Sequence, residues 1–186
     1  MTVTARRRPF TADEYHKMLA AGILDEDDAV ELIGGDLVTK APKSTRHAAC
    51  LSKLNELLSG ALRRRATIRV QDPITLGTLS EPEPDIVLAK HRVDAYAKGH
   101  PTAGDILLVI EVADSSLLYD REIKIPLYAS FGIPEVWLVA LTRQAVTVFT
   151  EPRAKGYDNC VDQQPGDTLQ PTAFPEVQLP VAALLP

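Results

Sequence analysis

The sequence predicts a mixed α/β fold built on a central β-sheet, and three observations carry that prediction. Residues 106–113 (Ile-Leu-Leu-Val-Ile-Glu-Val-Ala) form a nearly continuous apolar run, the pattern of a strand buried on both faces. Residues 44–62 place Ala48, Leu51, Leu54, Leu57, Leu58, Ala61 and Leu62 on one helical stripe. Short apolar runs bounded by Gly and Pro recur along the rest of the chain, as strands do.

Each element has its own signal. Thr11 followed by Glu14 is a capping box, opening a helix to about Ala21 that stops at Gly22. The acidic stretch Asp25–Asp28 leads into Val30-Glu31-Leu32-Ile33, then Gly34-Gly35, then Asp36-Leu37-Val38, a tight hairpin. Pro42 and Ser44 open the long helix, which ends at Arg63-Arg64-Arg65. Thr67–Val70 and Ile74–Leu76 are expected as strands broken at Pro73. The stiff lead-in Glu81-Pro82-Glu83-Pro84 precedes a strand from Asp85 to Ala89. Residues 91–104 are expected as loop with one helical turn. After the Ile106–Ala113 strand, Ser115 or Ser116 caps a helix to about Phe131, kinked or started late by Pro126. Val136–Val139 and Ala145–Phe149 close the sheet as a strand pair, read as an exposed pair that could form an interface. The Pro-rich tail beyond Glu151 is expected to hold one or two short strands and a closing turn at Val181–Leu185.

The composition narrows the function classes. The chain has 186 residues, 45% of them apolar, with 20 Lys+Arg, 25 Asp+Glu and a net charge of −5. That length suits one domain over residues 1–186, with a core at about 10–150 and an extension at 151–186. Two cysteines, Cys50 and Cys160, exclude a disulfide framework and a four-thiolate zinc site. No apolar run approaches the ~18 residues of a membrane helix. Arg6, Arg7 and Arg8 lack the apolar stretch of a secretory signal, so a soluble, cytoplasmic protein without a membrane partner is expected. Residues 1–65 hold 11 basic and 9 acidic side chains, whereas the remainder holds 9 and 16. A phosphate-facing surface would therefore draw on Lys40, Lys43, Arg46 and Arg63–Arg65, although the arginine triplet also suits a solvated helix end.

Three carboxylates interrupt apolar strands: Glu31 in the hairpin, Asp85 at the head of its strand, and Glu111 within the most apolar one. Each alone is explained by backbone amides or an arginine. Together they suggest a cation, because neighbouring like charges ionise together only when one is present. Lys124, 13 residues after Glu111, lies between Ile123 and Ile125 and is a candidate to point inward; a surface pair with Asp120 at i,i+4 is the plainer alternative. Hard carboxylates without a Cys/His set favour Mg²⁺, with Mn²⁺ able to substitute. His47 and Cys50 share a helix face but lack partners. Nucleophile-elbow, phosphate-loop and dinucleotide motifs do not occur in the sequence.

Pro84-Asp85, Glu111 in an apolar strand, and a following lysine resemble the PD-(D/E)XK restriction-endonuclease-like superfamily. The stretches Val30–Val38, Ser44–His47, Pro82–Val87, Val109–Val112 and Tyr119–Tyr128, continuing through Gly132–Val139, are similar to the Uma family of restriction endonucleases. The resemblance covers about residues 10–150. It implies a four- or five-stranded mixed sheet flanked by helices, with Asp85, Glu111 and the carbonyl of Val112 as metal ligands. It also implies Glu31 as an additional acid and Lys124 as the lysine. The position two after Glu111 is Ala113 rather than lysine, so Lys124 stands for a lysine relocated to the next helix. Asp114 adds an acid where the family has Ser-Pro-Ser-Thr.

The expected activity is Mg²⁺-dependent endonucleolytic hydrolysis of DNA, with catalytic Glu31, Asp85, Glu111 and Lys124. His47 and Arg46 are the expected substrate contacts, and His47 equally suits an auxiliary acid/base or a helix cap. DNA is the expected partner, and cutting two strands implies a homodimer or higher homo-oligomer. The alternatives are an inactive nuclease-fold module that binds DNA or a protein, favoured by the low basicity, and a hydrolase of another phosphoester.

Overall fold

The computed structural model describes residues 7–25 and 28–186; Arg6, Glu26 and Asp27 lie outside them. Six strands form the central sheet in the order β3-β4-β5-β6-β7-β8, with β3 Ala66–Val70, β4 Ile86–Lys90, β5 Ile106–Ala113, β6 Glu135–Ala140, β7 Ala145–Arg153 and β8 Gly156–Gln163. Only β5 and β6 run parallel, Val112 facing Val139; the other neighbours are antiparallel. A parallel pair needs a crossover, and the chain from Asp114 to Pro134 supplies it with helices. Two ribbons stand apart from this sheet: β1 Val30–Ile33 with β2 Asp36–Thr39, and β9 Thr168–Leu169 with β10 Leu179–Pro180.

Strand parity divides the core into two layers. Leu108, Ile110 and Val112 of β5, with Ile86 and Leu88 of β4, face helix α2 (Thr45–Leu62) and the closing helix α5 (Val181–Leu184). Val109 and Ala113, with Val87 and Ala89, face the crossover, where Ile125 and Tyr128 of α4 (Ile125–Ser130) meet them. Glu111 has the parity of Val109 and Ala113, so it points toward the crossover.

Helix α1 (Ala12–Ala20) starts at Thr11 with the full capping box to Glu14. Ser44 caps α2, accepting from the His47 amide, and the helix ends with Arg63 in a left-handed conformation. The buried face of α2 is His47, Cys50, Leu51, Leu54, Leu58 and Leu62, while Ala48 is exposed. The true stripe is thus rotated by one residue at its start and takes in the histidine.

Four expectations need correction. The sheet has six strands rather than four or five, because the polar segment Gly156–Gln163 extends the β7 hairpin as an edge strand. Ile74–Leu76 is not a strand: between Pro73 and Gly77 it makes one isolated bridge, Thr75 to Thr102, and Leu76 closes a turn onto Ser80. The Val136–Phe149 pair is not exposed; β6 is buried throughout between β5 and β7, and β8 forms the edge. The crossover has the expected late start at Pro126, but Ser116 makes no side-chain cap and the approach to α4 is not one α-helix. It runs as α3 (Leu117–Tyr119), a π-helical turn (Asp120–Lys124) and α4. Pro126 lies in the first turn of α4, and in an uninterrupted α-helix its ring would meet the carbonyl four residues back. The wider π turn, closed by the Ile125 amide onto the Asp120 carbonyl, takes up the misfit.

Candidate active site

The site lies where β4 begins and β5 ends. A cavity of about 300 Å³ opens there, with Glu31, His47, Asp85, Glu111, Asp120 and Lys124 in its wall. Five segments contribute: the β1 ribbon, the start of α2, the Glu81–Asp85 lead-in, β5 and the π turn.

Asp85 is held at both oxygens. Its Oδ2 accepts from the Val112 amide at 2.8 Å and lies 3.0 Å from His47 Nε2, while Oδ1 accepts from Gln71 Nε2 at 3.0 Å. Burial raises the cost of its charge, yet the His47 bond and charge, with the Val112 and Gln71 bonds, hold its carboxyl below the usual aspartate value. Since the N–H and C=O of one strand residue face the same edge, the Val112 carbonyl turns toward this side too. Ala113, next along, gives its carbonyl to Leu141 on the β6 side.

Glu111 is 3% exposed. Its Oε1 accepts from the Tyr128 hydroxyl at 2.5 Å and lies 3.3 Å from Lys124 Nζ. Burial pushes this carboxyl up to about 8; Lys124 and Tyr128 oppose the shift, and the charges of Asp120 and Asp85 add to it. Glu31 reaches the same lysine from the separate ribbon, its Oε1 3.1 Å from Nζ and its Oε2 accepting the Glu83 amide at 3.0 Å. Burial disfavours the Lys124 ammonium, but attraction from Glu111, Glu31 and Asp120 outweighs it and raises the lysine above its ordinary range.

Lys124 is 6% exposed, whereas its neighbour Ile123 is 44% exposed. The reading of Asp120 and Lys124 as a surface pair is therefore incorrect. The π turn brings both inward, and Tyr128 follows them at the next step of four. Asp120 is the site carboxylate that the sequence reading left on the surface. Its Oδ2 accepts from Ser116 at 2.6 Å, and burial raises its carboxyl above the usual value, helped by Asp85 and Glu31.

Arg46, expected as a substrate contact, is exposed and is not part of the cavity wall. It donates to the Leu141 carbonyl at 2.8 Å and lies 3.8 Å from Asp114, which in turn accepts from Ser44 at 2.6 Å. Lys40 pairs with Glu83, and Lys43 donates to Gln71 at 2.6 Å. Other buried acids are satisfied away from this cavity: Glu135 accepts from Trp137 and from the Thr172 amide, both at 2.7 Å. Among the described residues, no three His, Cys, Asp or Glu side chains gather closely enough to cage a metal by themselves. No helix among them is long and apolar enough to cross a membrane.

Comparison with known proteins agrees with this architecture. The solved structure titled "Crystal structure of a putative nuclease belonging to DUF820", from Anabaena variabilis, is similar with a TM-score of 0.74 and 20% identity, over 95% of this chain and 97% of that one. At that identity the likeness speaks for the fold, a mixed sheet flanked by helices. No curated protein matches the chain. The Uma2 family, described as "Putative restriction endonuclease", matches residues 12–182. Coverage from the first helix to the last assigns the chain, which belongs to the Uma2 family.

Proposed function

We propose that this protein is a Mg²⁺-dependent endonuclease that hydrolyses DNA phosphodiester bonds, Mn²⁺ being able to substitute. The observation that carries the reading is one cavity walled by carboxylates from separate elements, Glu31, Asp85, Glu111 and Asp120, with buried Lys124 paired to Glu31 and Glu111.

The residues fit a hard divalent ion. Mg²⁺ commonly uses one or two carboxylates and leaves its remaining positions to water and phosphate, so a complete protein cage is not required. Asp85, Glu111 and the Val112 carbonyl would hold it, and a cation there would offset what lifts Glu111, burial first and then repulsion from Asp120 and Asp85. Bound there, the ion supplies a Lewis acid for a phosphate oxygen and lowers the pKa of a coordinated water.

The chain's own groups do the rest. Lys124 directs its ammonium at charge gathering on the phosphate, held in place by Glu31 and Glu111. Glu31 is the additional acid, available to accept a proton from water. His47 fixes Asp85 through Nε2 and offers Nδ1 to substrate, while Arg46 waits outside the cavity wall for the neighbouring phosphate. Cutting both strands would take a pair of chains.

Plasmid nicking tests this. Wild type should nick with Mg²⁺ and stop with EDTA, and Asp85→Ala should lose at least ~100-fold, as removal of a group stabilising the transition state does. Equal activity in all three conditions would reject the reading. The second reading is an inactive module that binds DNA or a protein; the pairing of Lys40 with Glu83 and of Arg46 with Asp114 favours it by leaving few free cations beside the cavity. DNA binding without cleavage, and no heat on Mn²⁺ titration, would establish that alternative.

A further inference from the structure

Among the described residues, three buried side-chain polar atoms have no hydrogen-bond partner: His47 Nδ1, Arg69 Nε and Tyr119 Oη. Two of the three, on His47 and Tyr119, belong to residues in the wall of the candidate active site. Native structures rarely leave such atoms orphaned, because each has given up water and gained nothing in return. Their coincidence at one cavity points to a polar ligand that completes them.

Tyr119 closes α3 and immediately precedes the π turn that carries Asp120 and Lys124 inward. After burial, the charge acting most on its hydroxyl is Glu31, followed by Lys124, so the phenol lies on the Glu31–Lys124 side of the cavity. The hydrogen bonds and ion pairs of the acceptors there go to other donors. Glu31 Oε1 takes Lys124 and Oε2 takes the Glu83 amide; Asp120 Oδ2 takes Ser116; Glu111 Oε1 takes Tyr128 and Lys124. None of these oxygens pairs with Tyr119 Oη, and an anionic ligand oxygen that completed it would meet the Lys124 ammonium on the same side.

We propose that the Tyr119 hydroxyl is a substrate contact, donating a hydrogen bond to a non-bridging oxygen of the phosphodiester beside Lys124. The assignment rests on the nuclease reading above and adds a residue to it. Burial and the neighbouring carboxylates push the phenol up to about 12, so it remains a proton donor throughout the working pH range. The hydroxyl transfers no proton. It positions and partly neutralises the phosphate.

Tyr119→Phe removes a single oxygen and tests the idea through four measurements. Melting of the metal-free variant should match or exceed wild type, since the variant discards an orphan. The Mn²⁺ affinity by calorimetry should be unchanged. Affinity for a short DNA duplex, with Ca²⁺ replacing Mg²⁺, should fall about tenfold, as expected when a hydrogen bond to a charged group is lost. In cleavage the loss should appear in KM at least as much as in kcat. A drop of several degrees in melting would reveal a protein partner for the hydroxyl and overturn the assignment, as would DNA affinity within twofold of wild type. If wild type binds DNA without cutting it, the nuclease reading fails while the Phe variant still decides the contact. If wild type binds no DNA, both fall.

Discussion

The imidazole Nε2 of His47 lies 3.0 Å from Oδ2 of Asp85, tying the first turn of α2 to the head of β4. One ring thus links the helix layer to a carboxylate that also takes the Val112 amide of β5. His47→Ala should leave Asp85 short of a donor, raise its carboxyl pKa and cost about 1–3 kcal/mol in urea unfolding. Mn²⁺ affinity should weaken in parallel, because the carboxylate proposed to hold the ion loses its brace. Unfolding free energy within ~0.5 kcal/mol of wild type would show the contact to be dispensable.

Lys124 offers a sharper contrast. Lys124→Met strips the cation from a buried cluster and should destabilise by about 3–5 kcal/mol, the usual cost of leaving a buried charge without its partner. The double variant Glu31→Gln with Lys124→Met should recover much of that loss, since it no longer buries an unpaired carboxylate at this pair. Chemical denaturation of the two variants provides the comparison. A double variant no more stable than the single would assign the cost to packing instead.

The raised Glu111 carboxyl sets a pH dependence with a definite sign. Its folded pKa of about 8 exceeds the ordinary 4.5, so between those values the native state holds a proton that the unfolded chain has released. Its contribution to metal-free stability is therefore full below about pH 4.5 and is lost as pH rises through about 8. Melting temperature of the metal-free protein should fall from pH 5 to pH 8.5, and Glu111→Gln should flatten that slope. A wild-type profile already flat would contradict the assignment.

The two hairpin glycines should respond unequally to alanine. Both have positive φ, +59° at Gly34 and +85° at Gly35. At Gly34 an added Cβ meets open space, and the cost is about 1–2 kcal/mol of backbone strain. At Gly35 it would come within 2.3 Å of Pro9 Cβ and 2.9 Å of Pro9 Cα, forcing the N-terminal segment to shift. Gly35→Ala should therefore cost distinctly more in denaturant unfolding, and it should perturb activity through the strand that carries Glu31. Equal costs at the two positions would show that Pro9 yields freely.

Much of this molecule is legible in its sequence. The capping box at Thr11, the Gly-Gly hairpin, the Ser44 start and the limits of β5 follow from local chemistry, and local chemistry governs them in the fold. Glu111 stood out because a carboxylate inside an apolar strand violates burial rules unless something meets it. Asp120 did not stand out. It lies in Asp-Arg-Glu-Ile-Lys, a run with the composition of a solvated face, and only the π turn forced by Pro126 rotates it inward. A short strand was expected beyond Glu151, but not the length of β8 or its place in the central sheet, because its outward residues are polar on an edge and lack the apolar alternation that marks a half-buried strand. Tyr119 and Gln71 act through long-range placement, which no spacing encodes.

The β1–β2 ribbon joins the rest of the backbone through few threads, chiefly Leu32 to Glu81, Gly35 to Leu79 and Phe10 to Gly35. It forms a sheet of its own, yet it buries Leu32 and Ile33 and sets Glu31 against Lys124. Exchanging Val30–Thr39 between relatives would accordingly replace one acid of the cavity together with its tie to Lys124, so the ribbon and the π turn have to be transplanted as a matched pair.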